Sequence, residues 1–83
     1  MNRHGKEPLY EALYNAIKND IQLGKLLPDE KLPSKRAFSK HLGISTITVE
    51  NAYNQLLAEG YIYSIPKSGY YVSHIEPVVR ERI

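Results

Sequence analysis

The run from Ser45 to Gly60, Ser-Thr-Ile-Thr-Val-Glu-Asn-Ala-Tyr-Asn-Gln-Leu-Leu-Ala-Glu-Gly, constrains this chain more than any other stretch. Its pattern predicts a helix with one dry face and one face left for a partner. Ser45 is a natural N-cap, since its hydroxyl can accept a hydrogen bond from an otherwise orphaned first-turn N–H. Ile44 and Val49 flank that cap as a hydrophobic staple, which fixes the angle at which the chain enters. Val49, Ala52, Tyr53, Leu56 and Leu57 recur at helical spacing as an apolar stripe. Gly60 stands where a helix end calls for a residue tolerant of positive φ. The opposite face is Thr46, Ile47, Thr48, Glu50, Asn51, Asn54 and Gln55. Short hydroxyl and amide side chains at a helix N-terminus suit phosphate oxygens and base edges. A polar face that simply meets water gives the same pattern, so the neighbouring elements must decide between the two readings.

Eighty-three residues make one small domain, burying only about 60% of the surface its unfolded chain exposes. That suffices for a three-helix core with a small sheet and leaves little to wall off a deep catalytic pocket. A formal net charge of +2 permits an anionic partner without demanding one. The chain has no cysteine, which removes disulfides, thiolate catalysis and cysteine-based zinc sites. No apolar run approaches the ~20 residues of a membrane span, and no apolar signal core follows Met1. These features predict a cytoplasmic protein with no membrane partner.

Taken in order, residues 1–7 read as a polar, mobile arm, whose Arg3, His4 and Lys6 could touch a phosphate backbone or simply be solvated. Pro8 suits the first position of a helix, with Glu7 and Glu11 near the positive end of its dipole. Leu9, Leu13, Ala16, Ile17 and Ile21 mark the inward face of that helix, which ends near Gly24; Tyr10 and Tyr14, four apart, read by default as its core flank and otherwise as an exposed ridge for another domain. Lys25 to Pro33, with its Pro28-Asp29 turn signal, reads as a connector. Ser34 is a credible cap for a short second helix with Phe38 and Leu42 inward and Gly43 closing it. Only a tight turn then separates it from the helix begun at Ser45, which is the helix-turn-helix pattern. Tyr61 to Ile65 and Tyr70 to Ser73 read as strands around a Pro66-Lys67-Ser68-Gly69 turn. A lone hairpin is marginal and must pack on the helices. The order predicts a mainly α fold with a small β-hairpin, a winged helix-turn-helix over residues 8–73. Residues 74–83 read as the start of a linker to a further C-terminal domain.

Over Pro8 to Ser73 the chain resembles the DNA-binding domain of GntR-type bacterial transcription regulators. The resemblance rests on Pro8-Leu9-Tyr10, Leu32-Pro33-Ser34-Lys35-Arg36, Leu42-Gly43-Ile44-Ser45, Thr48-Val49 and the wing bearing Gly69. Asn51 to Ile62 is most similar to the MocR-like branch. The resemblance implies sequence-specific binding of double-stranded DNA, with Arg36 contacting DNA, Thr48 at the recognition-helix N-terminus and Gly69 near the minor groove. It also implies a large aminotransferase-like domain binding pyridoxal phosphate after the linker. Nothing in these residues could hold that cofactor, so none is expected in this chain.

The departures carry information. Thr46 and Glu50 stand where the family usually has arginine, and Lys67 where it often has a second wing glycine. Bidentate arginine recognition of guanine is therefore not available at positions 46 and 50. Glu50 has two readings, an acceptor for a cytosine amino group or an intramolecular partner of Lys35 or Lys40. Asn51 has two as well, a bidentate contact to adenine or a solvated polar residue. Tyr70 packs either on the domain or on a sugar. Lys35 and Arg36 sit at a helix N-terminus, against the dipole, where a positive pair suits a nearby phosphate.

The expected interface is Ser45, Thr46, Ile47 and Thr48 with Asn51 in the major groove, Ser34, Lys35 and Arg36 on phosphates, and Lys67, Ser68 and Gly69 toward the minor groove. One module offers a small interface, so a homodimer on paired half-sites is expected of the full-length protein. His4, His41 and His74 are too scattered for a metal site. No nucleophile has a base at meaningful spacing, which argues against an enzyme. The alternative is a protein-docking winged helix using Tyr10, Tyr14, Tyr61, Tyr63 and Tyr70.

Overall fold

The helix expected from the Ser45–Gly60 run forms as α3 (Thr46–Ala58), at the centre of a computed structural model that describes residues 8–74. Residues 1–7, read as an arm, and all but the first of residues 74–83, read as the start of a linker, lie outside the described residues. Ser45 caps α3, its Oγ accepting from the Thr48 N–H at 3.0 Å. Val49, Ala52, Tyr53 and Leu56 are each 0% exposed, so the stripe read from the spacing is the floor of the core. Gly60 at φ 83° ends the helix in a Schellman turn, with the Tyr61 N–H donating to Leu56 O at 2.9 Å and the Gly60 N–H to Leu57 O at 3.1 Å.

α1 (Leu9–Gln22) packs across α3. Pro8 stands at its cap rather than at its first helical position, its carbonyl accepting from the N–H groups of Glu11 and Ala12. The buried face also differs from the expected one, being Tyr14, Ile17 and Ile21 with Leu13 at the margin. Leu9 is 56% exposed and Ala16 is exposed too. Tyr14 takes the inward place because it can bury its ring while its hydroxyl donates to Glu59 and the Lys18 ammonium lies 5.1 Å from the ring centroid. That hydrogen bond pushes the Tyr14 hydroxyl above its ordinary pKa.

α2 (Lys35–Leu42) is capped by Ser34, whose Oγ accepts from the Ala37 N–H at 3.1 Å. Phe38 points inward as expected, but Leu42 is exposed and Ser39 is the buried residue of this helix. The reason is the close approach of α2 to α3, where Ser39 Oγ lies 3.1 Å from Thr46 Oγ1. A leucine would not fit there.

β1 (Ile62–Ile65) and β2 (Gly69–Val72) form the antiparallel wing, pairing Ile62 with Val72 and Ile65 with Gly69. β1 starts one residue later than expected, and β2 is shifted one residue toward the turn. Their inner residues Ile62 and Val72 are buried on α3. The segment read as a plain connector does more. Asp29 N–H donates to Val72 O at 2.7 Å, Val72 N–H to Glu30 O at 3.0 Å and Leu32 N–H to Tyr70 O at 2.8 Å, so residues 29–32 run along β2 as a short third edge.

Asp29 also ties down the far end of the wing. An ionised carboxylate only accepts, so Tyr63 Oη donates to Oδ1 and His74 Nε2 to Oδ2, each at 2.6 Å. The Tyr63 hydrogen bond first, and then that of His74, hold the Asp29 carboxyl below its usual range. A depressed carboxyl stabilises the fold fully above the unfolded value of about 4, and the effect disappears as pH falls through the folded value. Acid titration followed by the Tyr63 ring resonances is therefore expected to show release of this contact below about pH 4. Asp29→Asn should abolish the step, and a Tyr63 signal that titrates identically in both proteins would refute the assignment.

Candidate nucleic-acid interface

Two capped helix N-termini and the wing tip carry the expected contact residues. At the start of α2, Ser34 Oγ uses a lone pair on Ala37 N–H and keeps its hydrogen for an outside acceptor. The first-turn N–H groups of Lys35 and Arg36 precede the intrahelical ladder and face out of the helix end. Arg36 is exposed. Lys35 is half-buried and committed, with Nζ 3.3 Å from Glu50 Oε2 and 5.9 Å from the centroid of the Tyr70 ring. The Glu50 hydrogen bond pushes the Lys35 ammonium above its ordinary pKa against the opposing effect of desolvation, with Tyr70 adding to the rise. Of the two readings of Glu50, the structure contains the internal pair, and its partner is Lys35 rather than Lys40. Tyr70 packs on the domain, edge-on to Tyr53 at 4.9 Å.

At the start of α3 the hydroxyls are partly spoken for. Ser39 donates its only hydrogen to Arg36 O at 2.9 Å, so Thr46 must donate to Ser39 and presents only lone pairs outward. Ser45 Oγ and Thr48 Oγ1 lie 2.8 Å apart; whichever donates, one hydroxyl hydrogen of the pair remains for a partner. Asn51 is exposed one turn further on, and Ile47 is 66% exposed.

The wing turn explains a departure seen in the sequence. Ser68 N–H donates to Ile65 O at 2.9 Å, which closes a turn with Pro66 and Lys67 at its centre. Lys67 adopts φ 65°, the left-handed conformation that costs an L-residue roughly 1–2 kcal/mol. A glycine there would avoid the strain, so the lysine is held at the tip at a cost to the fold. Gly69 is required for a different reason. Its φ of 140° strains any L side chain, while the neighbour that a Cβ would meet, Lys31 Cε at 3.1 Å, is the end of a flexible chain that can give way. Ser68 Oγ shares a hydrogen bond with Tyr71 Oη.

Ser34, Ser68 and Gly69, far apart in sequence, line one open groove together with Lys31, Leu32 and Pro33. That groove joins the α2 N-terminus to the wing, and Lys35–Glu50 joins the α2 N-terminus to α3. Lys31 went unnoticed in the sequence because nothing marks it in a stretch read as connector. Its pairing with Tyr71 brings it to the wing base. Of the five tyrosines of the alternative docking surface, four are engaged internally: Tyr14 with Glu59, Tyr61 with Gln22, Tyr63 with Asp29 and Tyr70 with Tyr53. Among the described residues no three metal-ligating side chains gather, and no helix is long and apolar enough to cross a membrane.

This combination of helices, wing and polar helix N-termini defines a winged helix-turn-helix DNA-binding domain. Residues 9–72 match the family described as bacterial regulatory proteins, gntR family, and the chain belongs to that family. It is 44% identical over 77 residues to the HTH-type transcriptional regulator YhdI of Bacillus subtilis, and 36% identical to the probable rhizopine catabolism regulatory protein MocR of Rhizobium meliloti. Each of these matches covers 93% of this chain and 16% of the relative. The fold is similar to the DNA-binding domain of AraR crystallised with operator ORE1, with a TM-score of 0.79, 29% identity, and coverage of 88% of this chain and 89% of that one. The family is one of transcription regulators, so the domain is not an enzyme, and the likeness to MocR agrees with the branch that the sequence resembles.

Proposed function

We propose that this domain binds a specific operator by setting the first turn of α3 in the major groove and the wing toward the adjacent minor groove. Ser45, Thr46, Ile47, Thr48 and Asn51 make the groove contacts, Ser34, Arg36 and the first-turn amides of α2 hold phosphates, and Lys67, Ser68 and Gly69 form the wing contact. The observation that carries the reading is the continuity of α3, the α2 N-terminus and the wing through Lys35–Glu50 and the groove from Ser34 to Gly69. The operator complex of the similar AraR domain supports it. Lys31, at the wing base, joins the phosphate contacts. Lys35 contributes less than its charge suggests while Glu50 neutralises it.

A single module of this size calls for two copies on paired half-sites. The match to MocR, which takes in 16% of that protein, supports a longer regulator; dimer contacts and a pyridoxal phosphate domain beyond this one are what the family resemblance implies.

Fluorescence anisotropy of labelled promoter duplexes against salt tests the reading. Each phosphate contact contributes about 0.9 to the slope of log K on log salt. Arg36→Ala is expected to lower that slope by about one and to weaken binding about eightfold at 0.1 M salt, relative to a 1 M reference. Affinity that is indifferent to salt, or an Arg36→Ala slope equal to the parent's, would overturn it.

A further inference from the structure

Ile47 is the one large aliphatic side chain of α3 that is exposed, at 66%. At 100° per residue, the buried stripe of Val49, Ala52, Tyr53 and Leu56 has its centre within about 10° of the point diametrically opposite Ile47. The side chain therefore stands on the crest of the helix, in its first turn, as far from the core as the helix allows. Its neighbours on that crest are Asn51 and Asn54, with Thr46 beside it. These three, like Glu50 one turn on, are polar, so α3 itself places no apolar patch around Ile47 of the kind that docks another protein. A β-branched residue is also stiff at χ1, so it presents its methyls in one fixed direction.

From this we infer that Ile47 reads the C5-methyl group of a pyrimidine in the major groove, a thymine in unmodified DNA, and so sets base preference at one position of each half-site. The inference rests on the major-groove placement of α3 proposed above. In that groove the C5-methyl is the only apolar feature that the base edges offer, and apolar side chains recognise it by contact. Asn51, four residues on and about 6 Å away along the same ridge, has the amide that pairs with adenine N6 and N7. At ~3.4 Å of rise per base pair, the two side chains fall on base pairs that are the same or at most two apart. The crest of α3 thus selects an A·T-containing step. Glu50 does not compete for it, since its carboxylate is turned to Lys35.

The test begins with in vitro selection of duplexes from a random pool at low salt, by the 83-residue chain and by two copies of it joined covalently in tandem, since one module offers a small interface. Each thymine of the selected duplex is then replaced singly by uracil, which deletes the methyl and nothing else. One replacement per half-site is expected to weaken binding about fourfold, the worth of one buried methyl-sized group at ~0.8 kcal/mol. Ile47→Ala should bind the thymine and uracil duplexes equally, while Ile47→Val and Arg36→Ala should keep the discrimination. A duplex carrying 5-methylcytosine at the sensitive position separates the two sources of the same methyl. Binding tighter than to the duplex with plain cytosine there assigns the contact to the methyl whichever base carries it, and binding equal to it restricts the contact to the methyl of a T·A pair. Selection that enriches no duplex even with the covalently joined pair of domains would overturn the DNA-binding reading itself. An enriched duplex in which no uracil replacement distinguishes the parent from Ile47→Ala would overturn the role of Ile47 and leave DNA binding standing.

Discussion

Tyr53→Ala is expected to unfold the domain near room temperature or to leave it melting far below the parent. The side chain is 0% exposed and reaches every other part of the interface. Its ring meets Phe38 of α2 at 6.2 Å and Tyr70 of β2 at 4.9 Å, and its hydroxyl donates to Pro33 O at 2.8 Å. Burial pushes that hydroxyl well above its ordinary pKa, so it remains a donor throughout the accessible pH range. Truncating a buried aromatic to alanine costs about 3–5 kcal/mol. A chain of this length has only about 4–12 kcal/mol in all, and each kcal/mol moves Tm by about 4–8 °C. Tyr53→Phe separates the two parts of the role. It keeps the ring and deletes the donor to Pro33, so a loss of about 1 kcal/mol and a Tm lower by about 4–8 °C are expected by thermal circular dichroism. A Tyr53→Ala protein melting within about 5 °C of the parent would remove this residue from the centre of the fold.

The same residue shows what could be read from the chain and what could not. α3 was legible because one stretch carries four agreeing signals: the Ser45 cap, the Ile44–Val49 staple, the stripe, and Gly60 after the last turn. Agreement across levels leaves few alternatives. α1 was only half legible. Hydropathy ranks Leu9 above Tyr14, but an amphipathic tyrosine can be buried by its ring and solvated by its hydroxyl, and Glu59, supplied by a distant element, takes that hydroxyl. Leu42 and Ser39 exchanged places for a reason that no pattern within an eight-residue helix can state, the closeness of Thr46 on the next helix. The edge formed by residues 29–32 was invisible because its ladder is made of backbone groups.

The site was legible as a set of residue types and less so as a set of free groups. Ser34, Ser45, Arg36, Ile47 and Asn51 are exposed where a partner could meet them. The sequence could not say that Thr46 has given its hydrogen to Ser39 or that Lys67 is held at positive φ. Both follow from geometry fixed by other elements. Lys35 lies between these cases. Its pairing with Glu50 was one of two partners open to that carboxylate, and only the crossing of α2 over α3 chooses between Lys35 and Lys40.

That pair sets the second large effect. Glu50 stands where the family resemblance leads one to expect arginine, and it withdraws Lys35 from the proposed DNA-facing surface by holding its Nζ at 3.3 Å. Glu50→Gln would leave the side-chain volume almost unchanged while releasing Lys35, adding one effective cation. Glu50→Arg would release Lys35 and supply a second cation, which the first turns of α3 and α2 present together. With about 0.9 in the slope for each phosphate contact, the two variants should steepen the salt dependence by about 0.9 and 1.8. They should tighten binding at 0.1 M salt by about eightfold and about sixtyfold, relative to a 1 M reference. The pair itself is exposed enough to contribute little to folding, so Tm should hardly move. The added affinity should not be selective, because a phosphate contact carries no sequence information. Operator and random duplexes should gain alike, and the ratio between them should stay flat or fall. The opposite result, weaker operator binding by Glu50→Gln with no change on random DNA, would mean that Glu50 leaves Lys35 in the complex and accepts from a cytosine amino group. Anisotropy on both duplexes across a salt series separates the two outcomes by the sign of the change on the operator.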